Sequence, residues 1–231
     1  MMGDAQALKH QGCNDVAAPK LAPEKALIFR ITHIRNVRWI LEHGLHCQSS
    51  ECRDPNFVQI GNPDLIDKRQ SRRVLCSHGG VLSDYIPFYF TPHSPMLLNI
   101  KTGWNGLRMH PMRDIAILTT SLHRLHTDGL KYAFTDRHAV VQGVDFLTDL
   151  DCLDRIDWPL LRSRNFSRDP NDPEKMVRYA AEALVHRHLP VSSLLESPAT
   201  ATTRKRISRR RLSVLELASS SRLSRGGTSD D

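Results

Sequence analysis

The run from Asp84 to Leu97 leaves the chain the least conformational freedom. Ile86 to Phe90 reads as a buried strand, and it leads straight into a helix start. Ser94 is a good N-cap, and Pro95 fits the first helical position, where a missing N–H is no loss. Prolines and aromatics packed this closely suit a stiff scaffold beside a cleft, not a surface loop. The rest of the chain offers many short elements of the same kind. Ala26 to Ile31 alternates as a strand, with Phe29 and Ile31 on one face. A helix is expected from about Asn36 to His43, with Val37, Ile40 and Leu41 on one side and Gly44 as its stop. Further strands are expected at Asp114–Thr119, Lys131–Thr135 and Ala181–His186. Short helices are expected at Asp64–Val74, Ser121–Thr127 and Val144–Leu153, another opening at Asp172-Pro173-Glu174, and a helical turn at Pro190–Leu195. Between them lie long polar stretches, Cys47–Asp67 and Arg162–Asp172. This mixture predicts an α+β fold. There is no βαβ alternation, no G-x-G-x-x-G and no Walker loop, so any dinucleotide is held outside a Rossmann domain.

At 231 residues, one domain is the natural expectation. Its bounds are expected at 23–198, after a leader over 1–22 and before a basic tail over 199–231. No apolar run is long enough to span a membrane. The net charge is +7. Eight basic and three acidic side chains in the tail account for five of those charges, so the domain itself is nearly neutral. A general electrostatic argument for nucleic-acid binding is therefore excluded, and only local patches count. Five cysteines without framework spacing fit a reducing cytoplasm. His43, His46, Cys47 and Cys52 match no usual zinc spacing, and free thiols near a helix end are the simpler reading.

Three blocks carry a family resemblance: Ile31-Thr-His-Ile-Arg-Asn36, the Asp84–Leu97 run, and Arg178-Tyr-Ala-Ala-Glu-Ala-Leu-Val185. Together, and in this order, they resemble DarT, the DNA ADP-ribosyltransferase toxin of bacterial toxin–antitoxin pairs, over roughly residues 26–195. The resemblance implies an ADP-ribosyltransferase-like split antiparallel sheet with short helices and a central NAD cleft. It implies NAD as co-substrate without a metal, single-stranded DNA as acceptor, a macrodomain antitoxin as partner, and a cytoplasmic location.

Breaking the nicotinamide–ribose bond builds positive charge on the sugar, so a carboxylate must sit near it. The resemblance puts Glu182 in that role. The family's motif, close to Gln-Ala-Glu-Phe-Leu-Val, is here Ala180-Ala-Glu-Ala-Leu-Val185. Read without the family, Glu182 is a solvated carboxylate on an edge strand. The resemblance also implies a catalytic, NAD-contacting arginine at Arg69, with Arg72 and Arg73 as alternative registers; a solvated basic helix face is the plain reading. Thr32, His33, Gly44 and Tyr89 are the further cofactor-binding candidates. Thr32 and His33 could equally cap the next helix. Either Tyr89 or Phe90 could stack on nicotinamide, although aromatics in such a strand are usually core.

Arg137, His138 and Arg164 are candidate DNA contacts. Acceptor choice is expected between about Val140 and Ala181, where Arg155, Arg162, Arg164 and Arg168 interleave with Trp158 and Phe166. Trp158 could also simply be buried. The acceptor is a base, thymine or guanine, exposed in a single strand. Two rivals remain: the same chemistry on RNA or protein, and an impaired family member, altered after residue 198, that only binds nucleic acid through its tail.

Overall fold

The computed structural model describes residues 20–195. Five strands form one antiparallel sheet: β1 (Leu27–His33), β3 (Tyr85–Tyr89), β4 (Ile115–Ser121), β5 (Tyr132–Phe134) and β6 (Glu182–His186), in the order β4-β1-β3-β6-β5. A separate ribbon pairs β2 (Leu45–His46) with β7 (His188–Leu189). Among the described residues the six α-helices are short: α1 (Ile34–His43), α2 (Pro63–Ser71), α3 (Pro95–Thr102), α4 (Leu122–Thr127), α5 (Trp158–Ser163) and α6 (Lys175–Tyr179). This is the α+β, antiparallel architecture expected above.

The sheet is split, and Pro87 lies at the split. β1 pairs with β4 over its whole length, but its register with β3 is confined to Phe29 opposite Tyr89. A proline is normally excluded from an interior strand because it cannot donate to the ladder. Here the Pro87 carbonyl accepts from the Arg30 guanidinium at 2.8 Å in place of a strand partner. The other side of β3 pairs continuously with β6, from Tyr85 opposite His186 to Tyr89 opposite Glu182.

Local signals set the helix ends. The Asn62 side chain accepts from Asp64 N and Leu65 N to start α2, with Pro63 behind it. Ser94 accepts from Leu97 N to start α3, which ends on Gly103 in the left-handed region. α1 begins two residues earlier than expected, because His33 itself caps it by accepting from Arg35 N. Gly44 ends α1 at φ 84° and ψ −175°, a conformation essentially reserved for glycine. A Cβ there would lie 2.5 Å from His188 Nε2 and 2.6 Å from the Leu189 carbonyl oxygen, so Gly44 lets the β2–β7 ribbon close. Gly44→Ala should cost about 2 kcal/mol, read as a lower urea midpoint. An unchanged midpoint would mean the ribbon relaxes without penalty.

Three expectations fail. Val144–Leu153 is not an α-helix, and only its end, from Leu150, is helical at all. Leu147 bridges Phe134 through two 2.8 Å backbone bonds and covers the β5 edge, and a 3-10 turn follows at Leu150–Arg155. Pairing an open edge satisfies more backbone groups than an isolated turn of helix would. α6 starts at Lys175, because the Asp172 carboxylate is engaged by both terminal nitrogens of Arg178, at 2.9 and 2.6 Å. Helix α5 was missed, although Asp157 followed by Pro159 carries the same cap-and-proline signature. At the domain's start, Leu21 and Ala22, assigned above to the leader, are both 6% exposed and packed inside. At its end, Leu195 bonds Thr119 on the β4 edge. The supposed basic tail and its consequences for that edge lie outside the described residues.

Phe88, Phe90, Phe134 and Tyr179 are fully buried beside Trp158. Ala183, where the resembled motif has an aromatic, is 0% exposed and stands between Phe88 and Phe134 in register. Neighbouring strands thus supply the ring volume that the motif itself lacks.

Candidate active site

The split opens into a cleft of about 630 Å³, lined by β1, β3, α2, the segment from Leu45 to Asn62 and the start of β6. Glu182 stands at its floor, 1% exposed, on a strand flanked on both sides by others. The edge-strand, solvated reading of this residue is therefore overturned. Both carboxylate oxygens are engaged. Oε2 accepts from Arg69 Nη1 at 2.8 Å, and Oε1 meets Ala139 N at 3.0 Å and His138 Nδ1 at 2.9 Å. Burial alone would raise the Glu182 carboxyl. The charges and hydrogen bonds of Arg69 and His138 outweigh it and hold the group down at about 2.

Arg69 reaches this point because α2 is anchored at both ends. Asn62 caps its start, and Arg72, just past its end, donates to the Val141 carbonyl at 2.7 Å. That second bond ties α2 to the loop supplying His138 and Ala139. Of the three arginines, Arg69 is on the acid, Arg72 braces the loop, and Arg73 lies across from Val81. The solvated-face reading of Arg69 fails, since it is 8% exposed.

Arg30 was not foreseen. It lines the same cleft, and burial, with Arg69 next, pulls its guanidinium down to about 10. Arg30 Nε and Arg69 Nη2 are buried without a hydrogen-bond partner. One buried and one half-buried guanidinium near one carboxylate, with donors to spare, make a floor that favours an anionic or oxygen-rich ligand. The sequence signal was a charged residue inside an otherwise apolar strand, Phe29-Arg30-Ile31.

Thr32 also lines the cleft, and its hydroxyl accepts from Asn36 Nδ2 at 3.1 Å. Asn36 bonds Val58 through both amide groups and so pins the 45–62 excursion against the cleft. Tyr89 lines the wall, with burial and the nearby Glu182 raising its hydroxyl, which stays protonated and points at Met96 Sδ, 3.5 Å away. Phe90 is 0% exposed, so of the two aromatics only Tyr89 can meet a ligand.

Other candidates fall elsewhere. His33 is 7% exposed, caps α1 and lies against His110 with ring centres 5.6 Å apart; it is not among the cleft-lining residues. Gly44 is not either, and its conformation is explained by the ribbon. Arg137 is engaged with Asp136 and Glu174, at 3.2 and 2.9 Å. Arg164 is exposed at the end of α5. His138, one of the candidate DNA contacts, lines the cleft and is on the acid. In the arginine-rich segment Trp158 is 5% exposed and donates to the Leu153 carbonyl, and the half-buried Phe166 lies against Tyr179. Arg155 pairs with Asp145, and Arg162 donates to the Leu21 carbonyl. Cys47, Cys52, Cys76 and Cys152 are free thiols.

Comparison with known proteins gives a consistent picture. A family model described as DarT, ssDNA thymidine ADP-ribosyltransferase, matches residues 29–207. A DNA ADP-ribosyl transferase of Escherichia coli O127:H6 is 48% identical over 174 residues, 75% of this chain and 80% of the relative. One from Thermus sp. strain 2.9 is 36% identical over 171 residues, 73% and 78%. Among solved structures, Thermus sp. 2.9 DarT in complex with ADP-ribosylated ssDNA superposes with a TM-score of 0.71 at 30% identity, covering 81% of this chain and 90% of that one. The same protein in complex with NAD+ superposes at 0.66, with the same coverage.

Proposed function

Since the chain belongs to the DarT family, we propose that its cleft takes NAD and that Glu182 and Arg69 carry out transfer of ADP-ribose to thymine in single-stranded DNA. The protein is an NAD-dependent ADP-ribosyltransferase acting on single-stranded DNA. The observation that carries the residue assignment is the buried Glu182–Arg69 pair at 2.8 Å on the cleft floor, beside two partnerless guanidinium nitrogens. A carboxylate held at about 2 is fully charged at neutral pH. It stabilises the positive charge that builds on the sugar as nicotinamide departs. Arg69 fixes that carboxylate, and the free edges of Arg69 and Arg30 suit phosphate or hydroxyl oxygens of the dinucleotide. Thr32 and Tyr89 are the further NAD contacts in this reading.

Thymine carries its deoxyribose on N1, so its single N–H is at N3, on the Watson–Crick edge. That edge is free in a single strand and hidden in a duplex, which accounts for the substrate class. A modification there blocks base pairing during copying. The activity is therefore harmful to a cell, which supports a toxin working in the cytoplasm with a macrodomain partner that removes the mark. Of the candidate DNA contacts, Arg164 is an exposed cation and His138 lines the cleft. The domain over 23–198, extended toward the N-terminus to include Leu21 and Ala22, contains the whole described site.

The test is direct. Purified protein with NAD should add one ADP-ribose to a thymine-containing single-stranded oligonucleotide, seen by mass. It should leave the same sequence as duplex, an oligonucleotide without thymine, RNA and protein unmodified. Labelling of RNA or protein alone would overturn the substrate. Binding of DNA without turnover would support the impaired-relative reading instead.

A further inference from the structure

The reaction leaves one proton unassigned. When the acceptor nitrogen attacks, its N–H bond breaks, and an imide N–H is mostly protonated at neutral pH, so a base is needed. Glu182 is poorly suited. It already accepts from three donors, and its carboxyl is held near 2, so its affinity for a proton is low. Arg69 and Arg30 are cations, and Tyr89 keeps its proton. Of the titratable side chains in the cleft, one remains in contact with the acid: His138, whose side chain is 22% exposed and which lines the cleft.

We propose that His138 is the base that takes the proton from the acceptor nitrogen, with Nδ1–H anchored on Glu182 and Nε2 left for the incoming DNA base. The inference rests on the reading of the cleft as a DNA-modifying site. The tautomer follows from the contacts. Nδ1 lies 2.9 Å from a carboxylate oxygen, where a bare nitrogen would face lone pair to lone pair, so it carries hydrogen. The 3.4 Å approach of Val140 N to the same nitrogen, which would need it bare, is the weaker alternative. With Nδ1–H fixed on the acid, Nε2 is the nitrogen that can take up and give up a proton, and it makes no hydrogen bond among the described residues. The negative carboxylate behind the ring stabilises the imidazolium that forms. Arg72 holds the loop in place through the Val141 carbonyl.

The step balances. The acceptor N–H bond breaks, its proton goes to His138 Nε2, and the nitrogen's electron pair forms the bond to the anomeric carbon. The pair of the broken sugar–nicotinamide bond stays on nicotinamide, which leaves neutral. The imidazolium then returns its proton to solvent. One carboxylate thus serves twice, facing the sugar and orienting the base.

His138→Gln keeps an N–H for Glu182 but has no basic nitrogen. It should lower the single-turnover labelling rate of a thymine oligonucleotide by about 10²-fold or more. NAD affinity by calorimetry and melting temperature should stay close to wild type. His138→Ala opens room for added imidazoles, and rescue should rise with the basicity of the imidazole supplied, a trend that a packing role would not produce. Labelling by His138→Gln within about threefold of wild type would overturn the proposal. So would an equal loss of NAD affinity, or rescue indifferent to basicity. Wild-type protein that labels no DNA would sink the underlying assignment, and this one with it.

Discussion

Glu182→Gln should lower transfer of ADP-ribose to single-stranded DNA by on the order of 10³-fold, with the fold retained. The lost term is the full negative charge facing the sugar. Glutamine is the informative substitution because Glu182 is buried in a three-donor cage. An amide oxygen can still accept from Arg69 or Ala139 N. Alanine would instead strand Arg69 beside Arg30 with no anion between them, and a buried unpaired charge is destabilising by about 3–5 kcal/mol. Loss of activity in Glu182→Ala would then mix chemistry with unfolding. The check is a labelling rate together with a melting curve. Near-wild-type labelling by well-folded Glu182→Gln would remove this carboxylate from the mechanism.

Arg69→Ala should lower labelling by on the order of 10²-fold and also destabilise the protein by about 3 kcal/mol near neutral pH. The stability effect has a defined pH dependence. In the folded wild type, the Glu182 carboxyl sits at about 2, below the ordinary 4.5. A depressed carboxylate contributes stability that is fully present above 4.5 and lost as pH falls toward 2. With Arg69 removed, only His138 and the Ala139 N–H are left to oppose burial, so the carboxyl is held down less and that contribution shrinks. The gap in urea midpoint between wild type and Arg69→Ala should therefore be widest above pH 5 and close on acidification. A gap that stays constant down to pH 2 would show that Arg69 stabilises the fold through packing alone.

Much of this molecule was readable from local chemistry. Caps and stops are short-range devices, so Ser94, Pro95 and the glycine after His43 marked real helix ends. Apolar alternation located β1, β4 and β6 to within a residue or two. Val144–Leu153 misled because its apolar spacing suits a helix, while the edge of β5 offered that segment backbone partners that no local window can see. Asp172 misled for a related reason: a carboxylate before a proline looks like a cap, but Arg178 claimed it.

The division is sharper at the site. The family resemblance implied Glu182 and, among three alternative registers, Arg69, although 113 positions separate them along the chain. Their contact, the service of His138 to the same acid, and the presence of Arg30 on the same floor are products of strand order and of one helix braced at both ends. Local spacing records which residue types are available. It carries no information about which distant side chains converge, because that is decided by how β1 and β3 part around Pro87 and by what the closing loops then bury together.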